Sequence, residues 1–159
     1  MKMRKKISFI LGTALLMLFC LSSLSGCLFL NFSRLNNDDQ IRIDLGEKVF
    51  AALDNSDGAA LKKLFSKNAI AEMGDFETSA SELFEYYDGK VESYAFWGGY
   101  VEDYVSGGKK YKLLDATFDV KTSEDDYRIF MEFSSVDTFD EGNEGIRSFY
   151  IIKANTIPI

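Results

Sequence analysis

The sequence predicts an α+β domain in which N-terminal helices pack on a curved, four-stranded antiparallel sheet, preceded by a lipoprotein signal peptide. Three observations predict it. A basic start and an apolar run end in small residues and a cysteine. From Ile41 to Tyr87 apolar residues recur at three- and four-residue intervals, the period of a helix buried on one side. After Gly89 the period falls to two and stays there to Ala154. Helices followed by a run of strands make an α+β class, and such a sheet must cover its apolar face by curling around the helices.

The leader comes first. Lys2, Arg4, Lys5 and Lys6 precede the apolar run Ile7 to Leu21, and Leu24-Ser25-Gly26-Cys27 follows. A secretory signal needs a charged start, about 7–15 apolar residues and a small-residue cleavage site. The four-residue stretch has the form of a bacterial lipobox. Cleavage falls between Gly26 and Cys27, and the thiolate of Cys27 takes a diacylglyceryl group as a thioether. At about 0.8 kcal/mol per buried methylene, two or three acyl chains hold a protein firmly. The alternative is an uncleaved spanning helix, which Gly12, Ser22 and Ser23 weaken. Bulky Phe19 makes Cys20 a poor lipidation site. The expected location is the extracytoplasmic face of the cell membrane.

Three regions result: residues 1–26 as signal peptide, 27–38 as lipidated tether, and 39–156 as one domain. The leader holds four of the 18 basic side chains and none of the 25 acids, which leaves the mature chain at −11. Phosphate backbones repel such a surface, so nucleic acid is excluded as a partner. The chain has no histidine, and Cys27 is the only cysteine past the leader. Disulfides, thiol nucleophiles, histidine bases and ordinary zinc sites are thereby excluded. No cofactor, metal or catalytic residue is expected.

The elements follow in order. Ile41, Leu45, Val49 and Leu53 mark a first helix, with Asp38 or Asp39 as cap. Asp57 caps a short second helix bearing Ala60, Leu61, Leu64 and Phe65, and Ala69, Ile70 and Met73 suggest a further turn. Ser79-Ala80-Ser81-Glu82 resembles a capping box, with Phe76 as an earlier possible start. Leu83, Phe84 and Tyr87 give that helix its buried stripe, and Gly89 stops it. Val91 to Trp97 opens the sheet, and Gly98-Gly99 bends or bulges it before Tyr100 to Val105. Lys110 to Lys121, Tyr127 to Thr138 and Gly145 to Ala154 complete the sheet. Apolar groups on both faces of the last two strands predict partial cover on both sides.

Three stretches carry a family resemblance: KVFAALDNSDGAALKKLFS (Lys48 to Ser66), ELFEYYDGKVESY (Glu82 to Tyr94) and GIRSFYIIKA (Gly145 to Ala154). Placed after a lipobox, they resemble a family of bacterial lipoproteins from low-GC Gram-positive bacteria, known as a domain of unknown function. The resemblance spans Asp39 to Ala154. It implies a cystatin-like or nuclear transport factor 2-like cone. That superfamily includes ketosteroid isomerases and polyketide cyclases, which use an inward acid with His or Tyr partners. This chain has no histidine to match and no aspartate assignable to that role.

A cone has a concave mouth, the usual place for a ligand. Trp97 and Arg147, then Tyr86, Tyr111 and Glu132, are the candidates to line it. Trp97 lies beside two glycines, where backbone approaches a ligand closely; its other reading is packing of the sheet onto the third helix. Arg147 is a lone cation in an apolar strand; its other reading is a rim salt bridge with Glu132 or another acid. The acid pairs Asp125-Asp126 and Asp140-Glu141 lack the spacing of a 12-residue calcium loop and read as solvated turns. The expected function is non-catalytic binding of a small ligand, peptide or envelope protein. The alternatives are an isomerase or cyclase with a buried carboxylate, and a structural module of an envelope complex.

Overall fold

The computed structural model describes residues 37–154. The leader, Cys27, most of the tether and the tail beyond Ala154 lie outside them. The order is α1 (Asn37–Asp54), α2 (Gly58–Lys62), α3 (Lys67–Met73), α4 (Phe76–Tyr86), β1 (Val91–Phe96), β2 (Val101–Ser106), β3 (Lys109–Thr122), β4 (Asp126–Asp137), a 3-10 turn (Glu141–Asn143) and β5 (Gly145–Lys153). The first helix begins at Asn37, so the last two residues of the expected tether are helical. Asp75, not Ser79, caps α4: its carboxylate accepts from the Thr78 amide at 3.1 Å.

The sheet is open, antiparallel and five-stranded, not four-stranded as expected. The extra strand comes from the glycine pair. Phe96 pairs with Phe118 and Val101 with Leu114. Trp97 to Tyr100 therefore face only Asp115 to Thr117, an insertion of one residue. Pairing continues across it, since the Trp97 amide donates to Thr117 O at 3.0 Å and the Asp115 amide to Tyr100 O at 3.1 Å. β1 and β2 are thus one expected strand divided by the bulge the glycines predict. β3 lies inside the sheet, with β1 and β2 on one side and β4, then β5, on the other.

α1 runs alongside β3 in the same direction. Asp38 pairs with Lys112, Arg42 reaches Asp115, Gly46 faces Phe118, and Asp54 accepts from the Val91 amide beside Thr122. The buried face of the helix is Arg42, Gly46, Val49, Phe50 and Leu53. Ile41 and Leu45, expected on the core stripe, sit at its margin. Gly46 has a physical reason. A Cβ there would come 2.6 Å from Cζ of Phe118, so only glycine lets the helix rest on that ring.

Beneath the helices lie Leu114, Ala116, Phe118 and Val120 from β3 and Tyr127, Ile129, Met131 and Phe133 from β4, all buried. Phe118 packs edge-on against Phe50 at 5.3 Å and also meets Tyr94 and Phe96. The helix side of the sheet is a packed core. In β5 a bulge at Arg147 resets the alternation, because Glu132 pairs with Ser148 but Phe133 with Ile146. Ile146, Phe149 and Ile151 therefore share the helix side, and Tyr150 and Ile152 turn away. Plain alternation along Gly145 to Ala154 groups Ile146 with Tyr150 and Ile152; this one inserted residue separates them.

Arg42 is a buried charge. Its side chain is 2% exposed and ends at the β1–β2 bulge. Nε donates to Asp115 O at 2.7 Å, and one terminal nitrogen donates to Tyr100 O at 2.9 Å and Gly99 O at 3.2 Å. The other meets the Asp39 carboxylate at 2.9 Å. The bulge interrupts the ladder, and a planar guanidinium reaches three of its carbonyls at once, including Tyr100 O, which also accepts from the Asp115 amide.

Candidate functional site: the uncovered face of the sheet

All helices pack on one side of the sheet, so the other side is bare among the described residues. The alternation that buries Phe118 and Ile129 sends Thr117, Asp119, Arg128, Phe130, Tyr150 and Ile152 to that bare side. Cover was expected on both faces of β4 and β5, yet Tyr150 is 63% and Ile152 45% exposed. A band of side chains crosses the strands: Trp97, Thr117, Phe130, Tyr150. Three strand spacings make it about 14 Å wide. Phe130 and Tyr150 stack at 6.1 Å.

The tryptophan is held at its edge. Its Nε1 donates to Asp119 Oδ2 at 2.8 Å, while Nε and one terminal nitrogen of Arg128 donate to the same carboxylate at 2.7 and 3.0 Å. The Arg128 hydrogen bonds, with that of Trp97, hold the Asp119 carboxyl below its ordinary range. The ring is 67% exposed although its nitrogen is fixed. An exposed aromatic with a satisfied polar edge offers its flat face to a partner. Beside this band an open hollow of about 540 Å³ is lined by Ser93, Ala95, Asp119, Lys121, Asp126 and Arg128, among others.

Across the band, Asp115 stands directly opposite Glu132, and Asp115 Oδ1 is buried without a hydrogen-bond partner among the described residues. Tyr111 lies further along, where burial and the Glu102 charge push its hydroxyl up against the opposing pull of Arg147. The structure thus places Trp97, Tyr111 and Glu132 on the bare face, with Arg147 at the bulge acting on Tyr111. None of the first three faces a concave mouth. Trp97 does not pack on the third helix. Tyr86 is apart from them, at the end of α4, where its hydroxyl accepts from the Lys153 amide at 2.9 Å. Sequence reasoning missed Tyr150, Phe130, Asp119 and Arg128; a β5 register corrected for the bulge would have marked the first.

The helix side carries further depressions, among them an apolar groove of about 240 Å³ between α4 and β5 lined by Phe76, Ala80, Leu83, Phe149 and Ile151, among others. The carboxylate best placed for the isomerase reading is Asp54. It accepts from Tyr87 Oη at 3.0 Å and the Val91 amide at 3.2 Å, which ties the end of α1 to β1. Burial and that hydrogen bond push the Tyr87 hydroxyl up. Among the acid turns, Asp125 pairs with Lys153 and Asp140 caps the 3-10 turn. No group of three acids among the described residues is placed to hold a metal ion. No helix among them is long and apolar enough to cross a membrane.

Comparison with known proteins gives one family. No curated protein matches the chain. The model of a domain of unknown function, DUF5104, matches residues 48–154, from the middle of α1 to the end of β5. That span takes in the whole sheet and its bare face, and the chain belongs to the DUF5104 family.

Proposed function

We propose that this protein is a non-catalytic binding module, held at the outer surface of the cell membrane by lipid on Cys27, and that it engages an envelope partner through the bare face of its sheet. The observation that carries the reading is the aromatic band of Trp97, Phe130 and Tyr150 on a face without helices. Exposed aromatics grouped on a flat surface and rimmed by charge are the composition of an interaction site. A packed core beneath the helices favours a broad partner over a small ligand inside a nuclear transport factor 2-like cone. The lipobox supports the anchor, and Asp54, spent on backbone and Tyr87, gives no support to an isomerase or cyclase.

Trp97 is the only tryptophan in the chain, so its emission reports on this face. Titrating the purified protein with cell-wall fragments, envelope peptides and lipids should shift that emission for one class. Tyr150→Ala should abolish the shift. Binding seen by calorimetry with Trp97 emission unchanged would place the site elsewhere and refute the reading. For the anchor, Cys27→Ala should abolish fatty-acid labelling and leave the precursor unprocessed.

A further inference from the structure

The β2–β3 hairpin is the least covered part of the domain. Every residue from Val101 to Lys110 is exposed. Ser106 pairs with Lys109 across Gly107 and Gly108, both with positive φ, which is the tight two-residue turn of a twisted hairpin. Val105 is 67% and Tyr104 54% exposed, and Phe139, stacked on Tyr104, is 43% exposed. Lys109 lies over the Phe139 ring. Residues 104–112 hold three lysines and no acid, in a chain whose net charge is −7.

The hairpin also stands where the described chain begins. Asp38 pairs with Lys112, at the base of the hairpin. From that pair the strands run on for about 13 Å past the start of α1 before they turn. Residues 28–36 connect Cys27 to Asn37 and span at most about 35 Å. A lipid on Cys27 would therefore hold the domain within that reach of the bilayer, by the end at which the hairpin stands.

We infer that the tip of the β2–β3 hairpin rests on the membrane surface, with Tyr104, Val105 and Phe139 at the headgroup boundary and Lys109 and Lys110 against anionic headgroups. Tyrosine at the boundary and lysine over acidic lipid is the distribution that interfacial segments adopt. The acids of β2, Glu102 and Asp103, lie at its far end from the turn. The contact orients the domain so that the bare face stands across the membrane plane, open to partners from the side. This inference rests on the lipid-anchor reading.

The test uses the processed, purified protein on liposomes of phosphatidylcholine with phosphatidylglycerol. Cys27 is blocked by its lipid, so Ser106→Cys and, separately, Glu124→Cys each give one thiol for a fluorescent label. Lipid-borne quenchers should dim the label at 106 several-fold more than at 124. Adding Val105→Asp and Lys110→Glu, both at exposed positions, should remove the difference while circular dichroism stays unchanged. Equal quenching at 106 and 124, with lipid on Cys27 confirmed by mass, would overturn the hairpin contact and leave the anchor standing. A mature protein whose mass shows no lipid on Cys27 would refute the anchor and with it the argument that brings the hairpin to the bilayer.

Discussion

The two faces of one sheet differ in what they are made to do. On the helix side every second residue of β3 and β4 is buried, and Gly46 lets α1 lie directly on Phe118. On the bare side the bulge after β1 exposes Trp97 and β5 exposes Tyr150 and Ile152, and polar groups are held in small closed sets, such as Trp97 with Asp119 and Arg128. One face is spent on stability. The other leaves apolar area in water, which a monomer gains nothing from. Stability and the proposed binding can therefore be probed by separate substitutions on the two faces of one sheet.

The strongest way to break this comparison is Phe118→Ala, which should cost about 3–5 kcal/mol in urea unfolding. A cost near zero would mean that the helix side is not the core. Arg42→Met comes next. It strips donors from three carbonyls at the bulge and leaves Asp39 without this partner, so a loss of about 3 kcal/mol is expected. Gly46→Ala sharpens the point. Helix propensity alone favours alanine by about 1 kcal/mol, but the Phe118 ring must move, and a net loss of about 1–2 kcal/mol is expected.

Charge gives a smaller effect with a definite sign. The folded Asp119 carboxyl is held down by Arg128 and Trp97, so its contribution is complete above the ordinary aspartate value of 3.8 and is lost as pH falls through the folded value. Trp97 emission should change in that acid window, and Arg128→Ala should move the change upward in pH. At the basic end, burial and the Glu47 hydrogen bond push Tyr94 up to about 12. Its contribution is complete below pH 10 and disappears as pH rises through about 12, which absorbance titration of the tyrosines checks. Smallest of all, Trp97→Ala and Tyr150→Ala should change stability by no more than about 0.5 kcal/mol. Under the proposed reading their effect falls on binding.

Much of the fold was legible in the sequence because period is a direct record of burial. The change from helical to alternating spacing at Gly89 marks the start of the sheet, and Gly98-Gly99 marks its bulge. Asp57 is read correctly as a cap: its side chain accepts from the Ala60 amide at 2.8 Å. The fourth strand misled for a local reason: an inserted residue at Arg147 inverts every side chain that precedes it. The site was legible only in residue type. Trp97, Tyr111 and Glu132 share the bare face but are strung out along it, Tyr111 six residues along β3 from the Thr117 that faces Trp97. Arg42 was invisible because a cation in an amphipathic helix reads as solvent-facing. Its spacing from Gly46, Val49 and Leu53 places it on the buried stripe, and the demand of the bulge carbonyls, which no periodicity records, explains why a charge is there.

The side-by-side run of α1 and β3 has a mechanical consequence. Under the anchor proposed above, drag and tension would enter the domain through the residue where its leash is attached, Asn37. That pull arrives at a helix turn tied by Asp38 to Lys112 and by Arg42 to the bulge, all on the central strand and its immediate neighbour. Force entering there must shear many parallel bonds together instead of peeling an edge strand one bond at a time. The guanidinium works as a cleat, and the sheet takes the strain as a whole.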